Sequence, residues 1–546
     1  MSRARHGGEL VVESLTALGL DAFFGVPGVH ALALWDGLRR HGLRATPSRT
    51  ELAGAFAADG YARVAGRPAA LFLSTGPGAL NSLTGVMEAA RAHVPMVVVV
   101  SQVPRAVLGR GRGYLHELSE QLQCFSPLTK VALRAETAEA LPGTLAEAWG
   151  AAVRAPAGPV VVEVPVDVLG GETEVEPLEG RDAVAPQMSR PSPRDVRRVA
   201  TLLRKAERPV IWAGGGAVRA GAGRAVERLA RALAAPVCTT YMGKGVVPAD
   251  FSLHAGSACD DRAFQELIEE ADVLLCLGTE LGSETTGQWS LRPSGTVVQV
   301  DAAPARLGAT YAVLPVVAEV GAFLDAVLAD TALAHVAGPA DERSRQAGER
   351  RVGALRARIR EGLSTQDREA ELAVLDAVRG WLGTDGMAAF DMTIAGYWAA
   401  AHLDVRAPEQ FLYPLGSGTL GFALPAATGA WVASPDRRCL AVVGDGGFQY
   451  GLAELGTLAQ LEADVTVLVV DDGGYGILRE YQQDTFGATS GTDLRQPSFA
   501  GLATAFGIPV VTTDVEGLAA ALAGGSERGP RVVVLPAALR SALPTK

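Results

Sequence analysis

Short runs of β-branched and aliphatic residues recur along the chain, each followed by a glycine-containing turn and an alanine- and leucine-rich segment with helical spacing. Eight such runs are predicted strands: 69–73, 96–101, 160–164, 210–213, 273–277, 296–300, 439–443 and 465–470. Strands that are apolar on both faces and alternate with helices are typical of parallel sheets covered on both sides. The pattern therefore predicts the α/β class, repeated along the chain.

Two polar stretches divide these 546 residues into three units. Residues 171–193 are rich in Glu, Pro and Ser and are predicted to be a linker, and residues 334–360 are predicted to be a linker plus an exposed helix. The expected domains are 1–175, 190–335 and 360–546. This length is ample for several domains.

Composition excludes several classes of protein. The net charge of −11 argues against nucleic acid as a partner. The five cysteines are scattered and form no Cys-x-x-Cys, which favours a reducing compartment over a zinc cluster. The N-terminus has no sustained apolar core typical of a signal peptide, and the longest apolar runs are too short for a membrane span. We expect a cytoplasmic protein with no membrane partner.

Two acidic residues follow neighbouring predicted strands in the third unit. Asp445 lies in Gly-Asp-Gly-Gly after strand 439–443, and Asp472 follows strand 465–470. Open α/β sheets bind ligands at the carboxyl ends of their strands, so both carboxylates are expected at one edge. Carboxylates suit Mg²⁺, and glycines let the backbone approach a phosphate. An acid in this position is, by itself, also typical of an ordinary turn.

The stretch GDGGFQYGLAELGTLAQLEADVTVLVVDDGGYG resembles a segment of the thiamine-diphosphate enzymes of the acetolactate synthase, benzoylformate decarboxylase and pyruvate decarboxylase type. The resemblance implies that Mg²⁺ is bound by Asp445, Asp472 and a backbone carbonyl near Gly474. It also implies further cofactor-binding positions at Gly446, Gly447, Tyr475 and Gly476. The family has Asn-Asn where this chain has Asp-Asp. The extra charge should favour the metal and repel the diphosphate.

A glutamate begins a predicted helix in the first unit, within RTELAGAFAADGYAR. From the residues alone, Thr50 is a helix cap and Glu51 complements the helix dipole. By resemblance, Glu51 matches the glutamate that bonds the aminopyrimidine nitrogen of thiamine and so promotes formation of the C2 ylide. That role requires a carboxyl group in an apolar environment.

Two further segments of the first unit, FGVPG and STGPGALN, match loops of the same family. They imply that Gly25, Pro27 and Asn81 lie near the cofactor. His30 follows the first loop, and His116 lies in RGRGYLHEL. Both are candidate catalytic residues that contact substrate. A structural histidine and a solvated arginine-rich loop remain open alternatives at these positions.

The segment GSGTLGFALPAATGA resembles the family's loop that supports the cofactor in its bent form. Gly418, Thr419 and Leu420 match that loop, with Leu420 as the bulky supporting residue. The preceding Asp391-Met392-Thr393 resembles the family's diphosphate-facing Asp-x-Gly turn, from which Thr393 and Ile394 depart. The same segment contains GxGxxG, which alternatively suggests a nicotinamide dinucleotide, but no ribose-binding acid follows at the end of a next strand. The middle unit lacks the flavin-associated stretch after MGKG, so FAD is not expected.

The resemblance spans essentially the whole chain. It implies three α/β domains, for the pyrimidine, the middle region and the diphosphate, in a homodimer or homotetramer with active sites between subunits. The expected reaction is thiamine-diphosphate-dependent decarboxylation of a 2-oxo acid through a C2 ylide and an enamine. FGVPGVH and GRGRGYLHEL look most like 5-guanidino-2-oxopentanoate decarboxylases. A flavin-independent carboligase of the acetolactate synthase type and a degenerate binding or regulatory homologue remain alternatives.

Overall fold

The computed structural model of the protein describes residues 5–180, 188–330, 342–524 and 528–542. Three parallel sheets with flanking helices form the framework, which confirms the predicted α/β class. All eight predicted runs are strands. A small antiparallel pair joins Arg5–His6 to Glu172–Thr173. None of the helices in the described ranges combines the length and hydrophobicity that a membrane span requires.

The first sheet has six strands, in spatial order Ala45–Pro47, Phe23–Gly25, Ala69–Leu73, Met96–Gln102, Pro159–Pro165 and Ala132–Arg134. Its helices are Gly7–Ala17, Leu32–Arg40, Glu51–Ala65, Pro77–Asn81, Leu83–Arg91, Gln121–Phe125, Leu141–Val153 and Val166–Gly170. The central strands are fully buried, as expected of apolar strands covered by helices on both faces.

The middle sheet also has six strands, in spatial order His254–Gly256, Val237–Thr239, Val210–Ala213, Val273–Leu277, Thr296–Asp301 and Leu314–Val317. Its helices are Pro193–Lys205, Gly215–Arg219, Gly223–Leu233, Arg262–Glu269 and Val320–Ala329. Along the chain, Val210–Ala213 is the first strand of this sheet and Val273–Leu277 is the fourth, and the two are neighbours in the sheet. The order of the strands therefore reverses between them. Such switch points create a crevice at the carboxyl ends of the strands.

The third sheet has five strands, in spatial order Met387–Phe390, Cys439–Gly444, Val465–Asp471, Arg531–Pro536 and Val510–Thr512. Its helices are Glu369–Leu382, Ile394–His402, Ala423–Ala433, Asp445–Gly451, Leu455–Leu461, Gly476–Phe486, Phe499–Ala505 and Leu518–Ala523. Single 3₁₀ turns elsewhere in the chain are Val29–Ala31, Tyr241–Gly243, Ser283–Thr285, Pro304–Arg306, Pro408–Gln410 and Leu452–Glu454.

The predicted linkers lie partly outside the described residues, which omit 181–187 and 331–341. In the first, Ser192 caps helix Pro193–Lys205 by accepting a hydrogen bond from the backbone of Asp195 at 3.1 Å. In the second, a helix runs over Glu342–Ser364. It is largely polar, but Val352 and Leu355 are buried in a hydrophobic cluster shared by the middle and third domains.

The first and third domains pack closely through the helix Glu51–Ala65, called the Glu51 helix below, and the helix Ala423–Ala433. A Cβ atom on Gly60 would lie 2.1 Å from the Ala426 carbonyl oxygen, and one on Gly429 would lie 1.8 Å from that of Ala57. Only glycine allows the two backbones to approach this closely. The helix that begins at Glu51 is therefore held rigidly against the third domain.

Candidate active site

Asp445 and Asp472 lie together at the carboxyl edge of the third sheet, because their strands Cys439–Gly444 and Val465–Asp471 are parallel neighbours. Asp445 is buried and accepts hydrogen bonds from the backbone of Gly446 at 2.6 Å and the side-chain amide of Gln496 at 2.5 Å. Burial, followed by the charge of Asp472, raises the pKa of Asp445 to about 7. Burial also raises the pKa of Asp472. Two crowded carboxylates of this kind suit a divalent cation.

The turn at the end of strand Val465–Asp471 spans residues 471–476. Gly473 has a φ of +83° and Gly474 a φ of +158°, and the Gly474 amide donates to the Asp472 carboxylate at 3.2 Å. A Cβ on Gly476 would lie 1.9 Å from the same carboxylate. Glycine is thus required at 476 for Asp472 to hold its position. Carboxylates and backbone carbonyls, with no His or Cys in the loop, form the oxygen-rich surroundings that Mg²⁺ prefers.

Gly446 and Gly447 face side chains at very short range. A Cβ on Gly446 would lie 2.5 Å from the Tyr475 ring, and one on Gly447 would lie 2.6 Å from the Asp391 carboxylate. These contacts with the protein's own side chains are sufficient to require glycine at both positions. The role of these glycines toward a diphosphate remains a prediction.

Residues 414–422 form the Leu420 loop, and Asp391 holds the C-terminal end of this loop. The Asp391 carboxylate is fully buried and accepts hydrogen bonds from the backbone of Gly421 at 3.2 Å and Ala423 at 2.8 Å. Burial raises its pKa to about 6. The Leu420 side chain lies 3.9 Å from the position of a Cβ on Gly447, so the loop covers the glycine turn.

Three other predicted cofactor positions lie around the same edge of the sheet. The Thr393 hydroxyl lies 3.1 Å from the position of a Cβ on Gly444, next to Asp445. Gly418 adopts a φ of +68° in the Leu420 loop, and the Thr419 hydroxyl donates to the Leu420 carbonyl at 3.2 Å. The structure therefore brings together the predicted residues of the third domain.

A buried charge cluster connects the Glu51 helix to the Leu420 loop. Arg63 donates to Asp59 at 2.5 Å and to Glu88 at 2.9 Å, and also to the Tyr413 carbonyl at 3.0 Å. Glu88 in turn accepts from the backbone and hydroxyl of Ser417 at 2.6 and 2.8 Å. The first domain thereby fixes the loop that carries Leu420.

Glu51 is the first residue of its helix, as predicted, and Thr50 caps that helix by accepting a hydrogen bond from the Ala53 amide at 3.1 Å. The Glu51 carboxylate accepts a hydrogen bond from the Asn81 amide at 3.3 Å and lies 3.3 Å from the position of a Cβ on Gly78. Glu51, Gly78 and Asn81 thus form one group.

The two candidate histidines of the first domain meet in space. The rings of His30 and His116 pack edge to face with centroids 5.5 Å apart, and Tyr114 lies 5.8 Å from His30. His30 is 4% exposed, and its Nδ1 has no hydrogen-bond partner. Burial, followed by the charge of His116, lowers the pKa of His30. A buried, unpaired ring nitrogen is unusual and marks this position for a ligand.

The loop that carries Gly25 and Pro27 lies beside this histidine pair. A Cβ on Gly25, which has a φ of +136°, would lie 2.1 Å from the Phe72 carbonyl oxygen. A Cβ on Gly28 would lie 2.6 Å from the Ser74 hydroxyl, which is buried and also unpaired. Pro27 is exposed. Two buried polar atoms without partners, His30 Nδ1 and the Ser74 hydroxyl, therefore lie close to this loop.

Sequence comparisons identify the family. Three family models match the chain: the N-terminal thiamine pyrophosphate binding domain over residues 5–124, the central domain of thiamine pyrophosphate enzymes over 196–327, and their C-terminal binding domain over 391–535. The chain belongs to the thiamine pyrophosphate enzyme family. The Glu51 group and the histidine pair lie within the first match, and Asp445, Asp472 and the Leu420 loop lie within the third.

Curated relatives of this thiamine pyrophosphate enzyme cover most of its length. A probable 2-ketoarginine decarboxylase from Pseudomonas aeruginosa is 35% identical, over 92% of this chain and 88% of its own. A probable acetolactate synthase large subunit from Methanocaldococcus jannaschii is 30% identical, over 92% and 86%. An acetolactate synthase from Mycobacterium bovis is 31% identical, over 92% and 82%. Decarboxylases and carboligases are both represented.

Sequence reasoning missed several residues that shape the site. Glu88 has the appearance of an ordinary helix residue, and its partner Ser417 lies 329 positions away. Gln496, which holds Asp445, lies in an irregular segment with no periodic signal. Gln121 is buried and accepts a hydrogen bond from Gly76 at 2.6 Å, which fixes the turn next to His116. No local pattern distinguishes these positions from surface residues.

Proposed function

We propose that this thiamine-diphosphate-dependent enzyme decarboxylates a 2-oxo acid, with Mg²⁺ holding the cofactor. The main supporting observation is the joint position of Asp445, Asp472 and Leu420 at one edge of the third sheet. The similarity to a probable 2-ketoarginine decarboxylase supports the choice of reaction. Its named substrate, which is 5-guanidino-2-oxopentanoate, is the first candidate to test.

The residues at the third sheet fit the metal and the diphosphate. Mg²⁺ would be held by Asp445, Asp472 and a carbonyl of Gly474. Its charge would offset the burial and the repulsion by Asp472 that raise the pKa of Asp445. Seven residues would surround the diphosphate and the thiazolium: Thr393, Gly418, Thr419, Gly446, Gly447, Tyr475 and Gly476. Leu420 would pack against the cofactor.

The residues of the first domain would control protons. Thiamine diphosphate, when bound, supplies a nucleophilic carbon that adds to the 2-oxo group and accepts the electron pair left by CO₂. The Glu51 carboxyl would share a proton with the aminopyrimidine nitrogen, with Asn81, Gly25 and Pro27 nearby. His30, whose pKa is lowered by burial and by His116, would exchange a proton with the substrate during the reaction, and His116 would assist.

We also propose that active sites form between subunits of a homodimer or homotetramer. In the single chain, the Glu51 carboxylate contacts Asn81 and Gly78 of its own domain. Large apolar side chains are exposed near both halves of the site: Val29, Leu32, Leu115, Tyr450, Leu478 and Phe486. Exposed patches of this kind are typical of protein interfaces. Coexpression of the inactive variants Glu51→Gln and Asp445→Asn should restore activity through hybrid sites.

A carboligase is the second candidate, because acetolactate synthases of 30% and 31% identity also cover 92% of this chain. We propose a reaction without FAD for either activity, and the colour of the purified protein would test this. The five free cysteines support a reducing, cytoplasmic location.

The test is release of CO₂ from a panel of 2-oxo acids, with and without thiamine diphosphate and Mg²⁺. The panel contains pyruvate, benzoylformate, branched-chain 2-oxo acids and 5-guanidino-2-oxopentanoate. Cofactor-dependent release with one aldehyde per CO₂ supports a decarboxylase. Formation of acetolactate from pyruvate would instead select the carboligase. No release from any acid, with cofactor bound, would contradict the proposal.

A further inference from the structure

Residues 492–496, called the strap below, contact both elements that carry the proposed metal ligands. On one side the strap lies against the turn 471–476, where Asp493 forms an antiparallel bridge with Gly474. The approach is close, because a Cβ on Gly474 would lie 2.1 Å from the Thr492 carbonyl oxygen. The strap is therefore packed directly on the backbone of the turn.

Two backbone hydrogen bonds flank this bridge, from the Leu494 amide to the Gly473 carbonyl at 3.0 Å and from the Tyr475 amide to the Thr492 carbonyl at 2.8 Å. In this antiparallel pattern, the bridged residues turn their own amide and carbonyl groups away from each other. The Gly474 amide accordingly donates to the Asp472 carboxylate at 3.2 Å. The Gly474 carbonyl, a proposed metal ligand, is likewise turned away from the strap.

The strap reaches the other metal-ligand element through Gln496. The side-chain amide of Gln496 donates to Oδ2 of Asp445 at 2.5 Å, and the Gly446 amide donates to Oδ1 at 2.6 Å. Each oxygen of the buried carboxylate thus already accepts one hydrogen bond. An ionised carboxylate has about four acceptor sites, so it can still bind a metal. Its orientation, however, is fixed by these two donors.

Gln449 determines which end of the Gln496 amide faces Asp445. Nε2 of Gln449 donates to Oε1 of Gln496 at 3.1 Å and to the Asp445 carbonyl at 3.3 Å. Because Oε1 of Gln496 accepts this bond, its Nε2 is left to donate to the carboxylate, which as an anion only accepts. The three residues form a closed ring of hydrogen bonds that holds the carboxylate of Asp445.

Mg²⁺ and Ca²⁺ differ in what they require of such a carboxylate. Mg²⁺ requires near-octahedral geometry at about 2.0–2.1 Å, whereas Ca²⁺ takes about 6–8 oxygens at roughly 2.3–2.6 Å and often binds both oxygens of a carboxylate. Binding through both oxygens of Asp445 would compete with the hydrogen bond from Gln496 to Oδ2. The ring therefore disfavours the larger ion.

We propose that Gln496 is a positioning residue that restricts Asp445 to one metal-binding oxygen and thereby selects Mg²⁺ over Ca²⁺. Gln496 acts through Asp445, as the outer partner of a metal ligand. Such outer partners typically contribute about 10- to 100-fold in metal affinity. The inference rests on the proposed function, because it concerns the metal of that site.

The test measures the dissociation constants of Mg²⁺ and Ca²⁺ by calorimetry on protein saturated with thiamine diphosphate. Gln496→Ala should weaken Mg²⁺ binding about 10- to 100-fold, because the carboxylate loses its orientation. Ca²⁺ binding should change less than about threefold, since the freed Oδ2 becomes a second ligand oxygen. The preference for Mg²⁺ should therefore fall about tenfold or more.

Gln482→Ala is the matched control. The Gln482 side chain donates to the Ser490 carbonyl at 3.2 Å and accepts from the Ser490 amide at 2.6 Å, so it anchors the chain just before the strap. This variant should keep the preference for Mg²⁺ within about twofold of wild type. Gln449→Ala leaves Gln496 in place but removes the bond to its carbonyl, and should lower the preference by a few-fold.

Assays of decarboxylation separate this inference from the proposed function. If 2-oxo acids are decarboxylated but Gln496→Ala keeps the wild-type preference for Mg²⁺, the inference is wrong and the function stands. If Gln496→Ala loses the preference but the wild-type protein decarboxylates no 2-oxo acid, the function is wrong and the inference stands. Equal weakening of both ions in Gln496→Ala would show a purely structural role and would also overturn the inference.

Discussion

Glu88 of the first domain accepts two hydrogen bonds from Ser417 of the third, from its backbone amide at 2.6 Å and its hydroxyl at 2.8 Å. Ser417 lies three residues before Leu420, and Glu88 is itself held by Arg63 of the Glu51 helix. The helix that presents Glu51 at one end therefore anchors, near its other end, the loop proposed to support the cofactor. Glu88 acts as a positioning residue.

The variant Glu88→Gln should weaken thiamine diphosphate binding about 10- to 100-fold, because the amide cannot accept all the bonds that the carboxylate accepts. Calorimetry on the purified protein measures this affinity. Ser417→Ala removes only the hydroxyl bond and should have an effect of a few-fold at most. Equal cofactor affinity in Glu88→Gln and wild type would show that the loop does not depend on Glu88.

The variant Glu51→Gln should reduce turnover by roughly 10²- to 10⁴-fold, since the amide cannot exchange a proton with the aminopyrimidine nitrogen. Cofactor affinity should change little, because Glu51 lies apart from the metal and diphosphate residues. Steady-state rates and calorimetry measure the two effects. Full activity in Glu51→Gln would remove Glu51 from the mechanism.

The variant Asp445→Asn should weaken Mg²⁺ binding roughly 100-fold, because a buried anionic ligand becomes neutral. Asp472→Asn should weaken it less, since the amide oxygen remains a ligand and repulsion of the diphosphate falls. Mg²⁺ titrations in the presence of thiamine diphosphate compare the two. A larger loss for Asp472→Asn than for Asp445→Asn would reverse this assignment.

The variant Gly429→Ala should destabilise the protein by about 3 kcal/mol or more, because its Cβ would lie 1.8 Å from the Ala57 carbonyl oxygen. Chemical denaturation measures the free energy of unfolding. Gly150→Ala is the control, since it lies within helix Leu141–Val153 with open space around its Cβ. That change should be neutral or stabilising by about 0.5–1 kcal/mol. Similar stabilities of the two variants would contradict the close helix packing.

Asp391 should make stability depend on pH. Burial raises its pKa from 3.8 to about 6 in the folded state. The stabilising contribution of the bound proton is therefore fully present below pH 3.8 and lost as pH rises through 6. Between about pH 5 and 7.5, the wild-type protein should lose about 1.4 kcal/mol more stability than Asp391→Asn. Denaturation of both proteins at the two pH values measures the difference, and identical pH profiles would contradict it.

The framework of the protein was predictable because its strands are apolar runs, and because the helix Glu51–Ala65 begins with a recognisable cap. The run 439–443 and Thr50 illustrate these local signals. The arrangement of the site residues in space was harder to predict from the sequence. The pairing of His30 with His116 depends on how two loops meet, and the burial of Glu88 depends on a partner in another domain. Such contacts arise from tertiary packing, which leaves no periodic trace in the sequence.

The most direct test of the central claim is the stoichiometry of the reaction with 5-guanidino-2-oxopentanoate. With thiamine diphosphate and Mg²⁺, the wild-type protein should release CO₂ and form an equal amount of 4-guanidinobutanal, and Glu51→Gln should form neither at a comparable rate. CO₂ release that is independent of the cofactor, or no release by cofactor-loaded protein from this or any other 2-oxo acid, would contradict the account.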